Sequence, residues 1–254
     1  MQPLEVKVQQ AGTISELGEN ISYSLSLGLE ELNLGLVRHD GTAVIVGSGP
    51  SIKEFVEDIR AEKERGRTIL AVKGAYDYLV ENGITPDLYL SVEPRDRPIH
   101  HPQEETIFLL ASRCSPKVFD RLKGHKIILW HTWGDEDENE FIKDKMSFGG
   151  GTTSGLRALN VMYCQGFRNF HLYGFDSCLV NGEKRIDQGT IHQDVKTIEV
   201  FLGGRTFICN MGMAQQANEF QNIYDVMPDI HVESFGDGLI STILEERKKN
   251  GFKT

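Results

Sequence analysis

From residue 42 onward, short apolar runs alternate with stretches of helical periodicity. The runs at 42–47, 68–72, 88–92, 106–111, 126–130 and 169–173 are near-continuously apolar. That is the pattern of strands covered by helices on both faces, as in a parallel sheet. Between the first two runs, Ile52, Phe55, Val56 and Ile59 fall on one helical face. Ser51 and Glu54 read as a capping box ahead of that helix, and Gly66 marks its exit. Leu156, Leu159 and Tyr163 repeat the helical spacing and stop near Gly166. The alternation predicts an α/β fold with a doubly wound, mostly parallel, Rossmann-like sheet.

The two ends of the chain read differently. Ile14, Leu17, Ile21, Leu25, Leu29 and Leu32 recur at three- and four-residue spacing, with Gly18 and Gly28 among them. This predicts a helical N-terminal arm over residues 1–40, packed on the main domain over 41–254 or on a second subunit of a homo-oligomer. After Asp176, Gly203-Gly204 separates the runs 200–202 and 206–209, which predicts a hairpin because paired glycines supply positive φ cheaply. A helix near 215–224, a short strand at 230–232 and a charged helix to Lys249 would complete a small C-terminal α/β extension.

Composition narrows the class. With 27 Lys and Arg against 37 Asp and Glu, the formal charge is −10, which argues against a dedicated nucleic-acid binder. No apolar run approaches the roughly 20 residues of a membrane span, and the N-terminus lacks the layout of a secretory signal. Cys114, Cys164, Cys178 and Cys209 form no C-x-x-C pair and read as reduced core thiols. These features together predict a cytoplasmic protein.

In open α/β sheets, ligands bind outside the carboxyl ends of the strands, so the residues following each run carry the candidate chemistry. They include Gly47-Ser48-Gly49-Pro50-Ser51, Lys73-Gly74, Glu93-Pro94-Arg95-Asp96-Arg97, Ser112-Arg113, the segment His131 to Glu138, and Gly174-Phe175-Asp176. The first turn leads a helix, and its glycines would let the backbone approach phosphate oxygens; the same glycines also suit a tight strand-to-helix turn. Its spacing matches neither the G-x-x-x-x-G-K-[ST] loop nor G-x-G-x-x-G. Gly149-Gly150-Gly151-Thr152-Thr153-Ser154 is a second anion-friendly helix start, with more hydroxyls than a cap requires.

Asp135, with Asp137 beside it, and Asp176 are candidate ligands for Mg2+, a hard ion that prefers oxygen donors, while Glu136 and Glu138 read as surface residues. Glu93 and Asp96 are further candidates, or members of a surface cluster with Arg95 and Arg97. His192 lies in a polar loop where it would be free to titrate. His171 reads as packing, and Cys178 lacks a partner base for a thiol nucleophile.

Four motifs in order then carry a resemblance: Val46-Gly47-Ser48-Gly49-Pro50-Ser51, Gly83-Ile84-Thr85-Pro86-Asp87, Gly149-Gly150-Gly151-Thr152 and Leu172-Tyr173-Gly174-Phe175-Asp176. Together they resemble the 6-hydroxymethylpterin diphosphokinase MptE-like family over roughly residues 40–210. His131-Thr132-Trp133-Gly134-Asp135 is similar to the family's histidine-glycine-aspartate segment, with Trp133 and Glu136 departing from the archaeal enzymes. The resemblance implies transfer of diphosphate from ATP, with Mg2+, to a hydroxymethyl acceptor. Gly47, Ser48, Gly49 and Ser51 would cradle the nucleotide. Gly150, Thr152, Thr153 and Ser154 would hold phosphate, and Asp135 and Asp176 would organise metal and catalysis. The family extends to motility accessory factors and is similar to sialyltransferases that use CMP-sugars. That similarity implies a glycosyltransferase acting on a glycan or protein acceptor as the alternative, with His192 as its catalytic residue. A nucleotide-binding protein without catalysis is the third reading.

Overall fold

The computed structural model describes residues 12–35, 37–133, 136–186, 189–190, 196–227 and 229–251. The chain opens with α1 (Ile14–Ser26), capped by a reciprocal Thr13–Glu16 box. Gly28 takes φ +60°, the left-handed conformation that ends helices. The apolar spacing that continues to Leu32 therefore leaves the helix and runs into β1 (Glu30–Glu31). The Rossmann-like part follows as β2 (Thr42–Val46), α2 (Val56–Glu64), β3 (Thr68–Val72), α3 (Gly74–Glu81), β4 (Leu88–Ser91) and β5 (Ile107–Ala111). It continues with α4 (Pro116–Arg121), β6 (Ile127–Thr132), α5 (Glu136–Asn139), β7 (Ser147–Phe148), α6 (Ser154–Cys164) and β8 (Asn169–Tyr173). Two small ladders come next, β9 (Glu183–Arg185) with β10 (Gly189–Thr190), and β11 (Thr197–Leu202) with β12 (Arg205–Asn210). Then α7 (Met211–Val226), β13 (His231–Phe235) and α8 (Leu239–Lys249) finish the chain.

Among the described residues, nine strands form one sheet in the order β1-β6-β5-β4-β3-β2-β8-β13, with β7 paired to β6, and the pairs that build it are parallel. Ala43, Val44, Ile45 and Val46 are consecutive and all buried. Successive strand residues face opposite ways, so both faces of the sheet are covered. The core is the two apolar layers on either side of these strands.

Three local readings change. The capping box at Ser51 and Glu54 does not form: Pro50–Glu54 is a 3-10 turn, and α2 starts later, with no side-chain cap. The Ser51 N–H instead donates to Asp176 Oδ2 at 3.1 Å. The short helices α3 and α4 occupy segments where the spacing gave no helix, although α4 begins with proline in its first turn, a position proline suits. The N-terminal helix packs on its own chain, with Leu17 and Ile21 fully buried. Asn20 donates to the carbonyls of Pro94 and Arg113, and Ser24 to that of Ser112, so α1 braces the exits of β4 and β5. The Gly203-Gly204 hairpin forms as expected, with both glycines at positive φ. Among the described residues, no helix is long and apolar enough to cross a membrane.

Candidate active site

The chain winds outward from β2 through β3, β4, β5 and β6, then returns to lay β8 on the other side of β2. The strand order reverses between β2 and β8, and a crevice opens outside their carboxyl ends. The two exits interlock there. The Gly47 N–H donates to the Tyr173 carbonyl at 2.7 Å, and the Gly49 N–H to the Gly174 carbonyl at 2.9 Å. A Cβ on Gly47 would stand 2.6 Å from the Gly174 oxygen, and one on Gly49 would collide with Asp176 Oδ2. Both glycines are thus required by backbone meeting backbone, before any ligand is considered. Ser48 stays at the surface of the crevice, its hydroxyl donating to the Val72 carbonyl at 3.1 Å.

The crevice is one cavity of about 750 Å³, lined by Gly47, Ser48, Gly49 and Asp176 from these exits and by Thr152, Thr153 and Ser154 from the start of α6. The two glycine-led turns therefore face a common space, toward the upper end of the roughly 300–1,000 Å³ common for small-molecule sites. At the α6 start, Thr153 Oγ1 accepts from the Leu156 N–H and from Gln216. The Thr152 N–H and hydroxyl donate to Glu219 Oε2 at 2.9 and 2.8 Å. A carboxylate of α7 thus holds the donors that an anion would use. Among the described residues, the buried Ser154 hydroxyl has no hydrogen-bond partner. The start of α7, capped by Asn210 on the Met213 N–H, lines the same cavity through Met211, Gly212 and Met213. Two helix N-termini, with their unpaired N–H groups and positive dipole ends, therefore converge on one cavity.

Charge follows the same logic. Among the described residues, six cationic side chains line the cavity (Lys73, Arg95, Arg113, Arg157, Lys184 and Arg185), against the carboxylates of Glu93, Glu138 and Asp176. Arg157 donates to the carbonyls of Trp133 and Phe148. Glu138 is buried, accepting from Arg113 at 2.9 Å and from the Thr132 hydroxyl at 2.9 Å. This corrects the surface reading of Glu138: α5 folds back against β6 and buries a residue whose acidic neighbours suggested solvent. Lys73 has φ +53°, and burial, with Arg185 beside it, pulls its ammonium down to about 8. No motif marks it in the sequence; its position directly after β3 was the available signal. Burial pushes the Asp176 carboxyl up, opposed by its bonds from Ser51, and pushes the Cys178 thiol up to about 12, so a ready thiolate is absent there.

Of the expected site residues, Gly47, Ser48, Gly49, Thr152, Thr153, Ser154 and Asp176 line the cavity, joined by Glu93. Ser51 is buried beneath it. Gly150, at φ +105°, shapes the turn from behind, packed on Asn160. Asp96 pairs with Arg121 elsewhere. Asp135 and His192 lie outside the described residues. Among the described residues no group of three or more His, Cys, Asp or Glu is placed to hold a metal ion. Among the described carboxylates of the cavity, Glu138 is bound to Arg113, Glu93 to Arg95 and Asp176 to the Ser51 amide.

A model of the 6-hydroxymethylpterin diphosphokinase MptE-like family matches residues 15–182, more than half of the chain. No curated protein sequence matches it. Among solved structures, the MAf glycosyltransferase from Magnetospirillum magneticum AMB-1 superimposes with a TM-score of 0.67 at 17% identity, covering 91% of this chain. At that identity the likeness establishes the fold alone, and this chain spans 38% of that protein's length. A mammalian sialyltransferase in complex with Gal-beta-1-3GalNAc-ortho-nitrophenol aligns at 12% identity over 89% of this chain and 81% of its own. Its TM-score is 0.46.

Proposed function

Because this chain belongs to the 6-hydroxymethylpterin diphosphokinase MptE-like family, we propose that it is a nucleotide-dependent transferase whose donor places its phosphates in the cavity at the β2–β8 switch. One observation carries the reading: the Gly47 turn, the α6 start and the α7 start line a single cavity together with six cationic side chains. Group transfer from a nucleotide builds negative charge on phosphate oxygens. Preorganised amides, hydroxyls and guanidinium groups stabilise that charge without a covalent nucleophile. Ser48, Thr153, Ser154 and Arg157 are the groups assigned to it, with the free amides of both helix starts.

The family membership supports diphosphate transfer from ATP to a hydroxymethyl acceptor, with Mg2+ arriving on the donor and Asp176 and Asp135 as its protein carboxylates. A second reading, sugar transfer from a CMP-sugar with His192 as the catalytic residue, is favoured by the balance of the cavity. Its described groups meet phosphate charge with protein cations, which suits a donor bearing one phosphate. Sharing its fold with the MAf glycosyltransferase is compatible with this second reading.

The test is product analysis. Protein incubated with ATP, Mg2+ and 6-hydroxymethylpterin should release AMP on the first reading, and CMP from a CMP-sugar on the second. Arg157→Met should weaken binding of whichever donor reacts by about tenfold or more, about 1.4 kcal/mol. Nucleotide binding with no turnover of either donor would make the protein a binding module, and no nucleotide binding at all would remove the proposal.

A further inference from the structure

Thr152, Thr153 and Ser154 bring three hydroxyls to the α6 start, and two of them are already engaged. Thr153 Oγ1 accepts from the Leu156 N–H and from Gln216. The Thr152 hydroxyl and N–H both donate to Glu219 Oε2. The Ser154 hydroxyl is different: it is 2% exposed, lines the cavity and has no hydrogen-bond partner among the described residues. A buried hydroxyl left unpaired is costly, and a ligand oxygen at that point would satisfy it.

Glu219 is fixed in place beside this hydroxyl's turn. Gln215 donates to its other oxygen, Oε1, at 2.8 Å, so partners on the α6 turn and on α7 hold both carboxylate oxygens. Gly151 passes it at φ +83°, where an added Cβ would stand 3.0 Å from Oε2. Glu219 is also among the charges that act on Arg157, a guanidinium that lines the cavity. The carboxylate therefore takes the Thr152 end of the helix start, and it acts on the same cation that would meet a bound phosphate.

Charge sets the capacity of the cavity. Among the described residues, six cations against Glu93, Glu138 and Asp176 leave three formal positive charges, and Glu219 lowers that surplus to two. One phosphate carries at most about two negative charges at neutral pH. Each further phosphate exceeds the surplus, and beside Thr152 it meets a fixed carboxylate. Arg113 and Arg95 are already matched to Glu138 and Glu93.

Resting on the reading of the cavity as a nucleotide site, we infer that Glu219 is a specificity-determining residue that limits the α6 start to one phosphate. The donor it selects joins the nucleoside to the transferred group through a single phosphate. Di- and triphosphates are rejected because their added charge is left unmatched.

The experiment is calorimetric titration of phosphate, pyrophosphate, AMP, ADP and ATP into the full chain, in metal-free buffer so that ligand charge is the variable. In the wild type, pyrophosphate should bind no more than twofold tighter than phosphate, and ATP no tighter than AMP. In Glu219→Gln, pyrophosphate should exceed phosphate, and ATP exceed AMP, by tenfold or more. Glu219→Asp keeps the charge and should keep the wild-type order, which separates charge from packing. Wild-type affinity that climbs tenfold or more from AMP to ATP, or from phosphate to pyrophosphate, overturns the inference while leaving the nucleotide reading intact. This arm needs no variant, so a misfolded mutant cannot shelter the idea. An order unchanged in Glu219→Gln also overturns it. The expected order for phosphate and pyrophosphate, with no nucleotide bound, keeps Glu219 as the selector and removes the nucleotide reading. Binding of none of the five removes both.

Discussion

A lysine held in a half-buried wall beside arginines releases its proton more readily than one in water, and stability then depends on pH. The folded value of Lys73, about 8 against 10.5, means the unfolded chain holds the extra proton between those two values. Stability from this residue therefore rises with pH across that window, and the penalty is fully present below it. Lys73→Met should stabilise the protein at pH 7 by about 1–3 kcal/mol, discounted for partial exposure, and flatten the rise above pH 8. Urea melts as a function of pH check both. Glu138 is the converse case, a buried carboxylate matched to Arg113. Glu138→Ala strands that guanidinium and should cost about 3–5 kcal/mol, measured by chemical denaturation. Neither residue was legible from its neighbours. Lys73 belongs to no motif, and Glu138 sits in an acidic run whose usual home is solvent.

At the scale of elements, the two glycine turns mean different things. Gly47 and Gly49 let the exits of β2 and β8 close on each other. Gly49→Ala should therefore destabilise by about 1–3 kcal/mol through overpacking against Asp176 and Gly174, read as a lowered thermal midpoint. The α6 start keeps its hydroxyls at the cavity, but Glu219 holds the Thr152 donors. Removing that carboxylate in Glu219→Ala frees two donors and a negative charge from the site. Phosphate or nucleotide affinity should increase, by roughly threefold or more, in the same titrations. The α6 start was visible because three glycines and three hydroxyls precede an amphipathic run. The α7 start, Asn210-Met211-Gly212, was not, because a single Asn cap looks the same whether or not a cavity lies beside it.

For the whole molecule, the site exists because the sheet reverses its winding at β2. A nucleotide at about 100 times its dissociation constant should add about 2.7 kcal/mol of stability, or roughly 5–10 °C in thermal midpoint for a chain of this size. Comparing ATP and CMP with and without Mg2+ in that assay ranks the donors. The six main strands were legible because a strand buried on both faces must be apolar at every position, a constraint that each segment satisfies by itself. The glycine-and-hydroxyl turns and the strand exits were legible for the same local reason. Which exits share a cavity, that Ser51 serves Asp176 instead of a helix cap, and that Glu138 is buried while Lys73 lies in a strained, cationic wall, came only from the tertiary structure. Those facts depend on strand order and on contacts between residues far apart in the chain, and burial and electrostatics act through space, where the sequence alone records no distance.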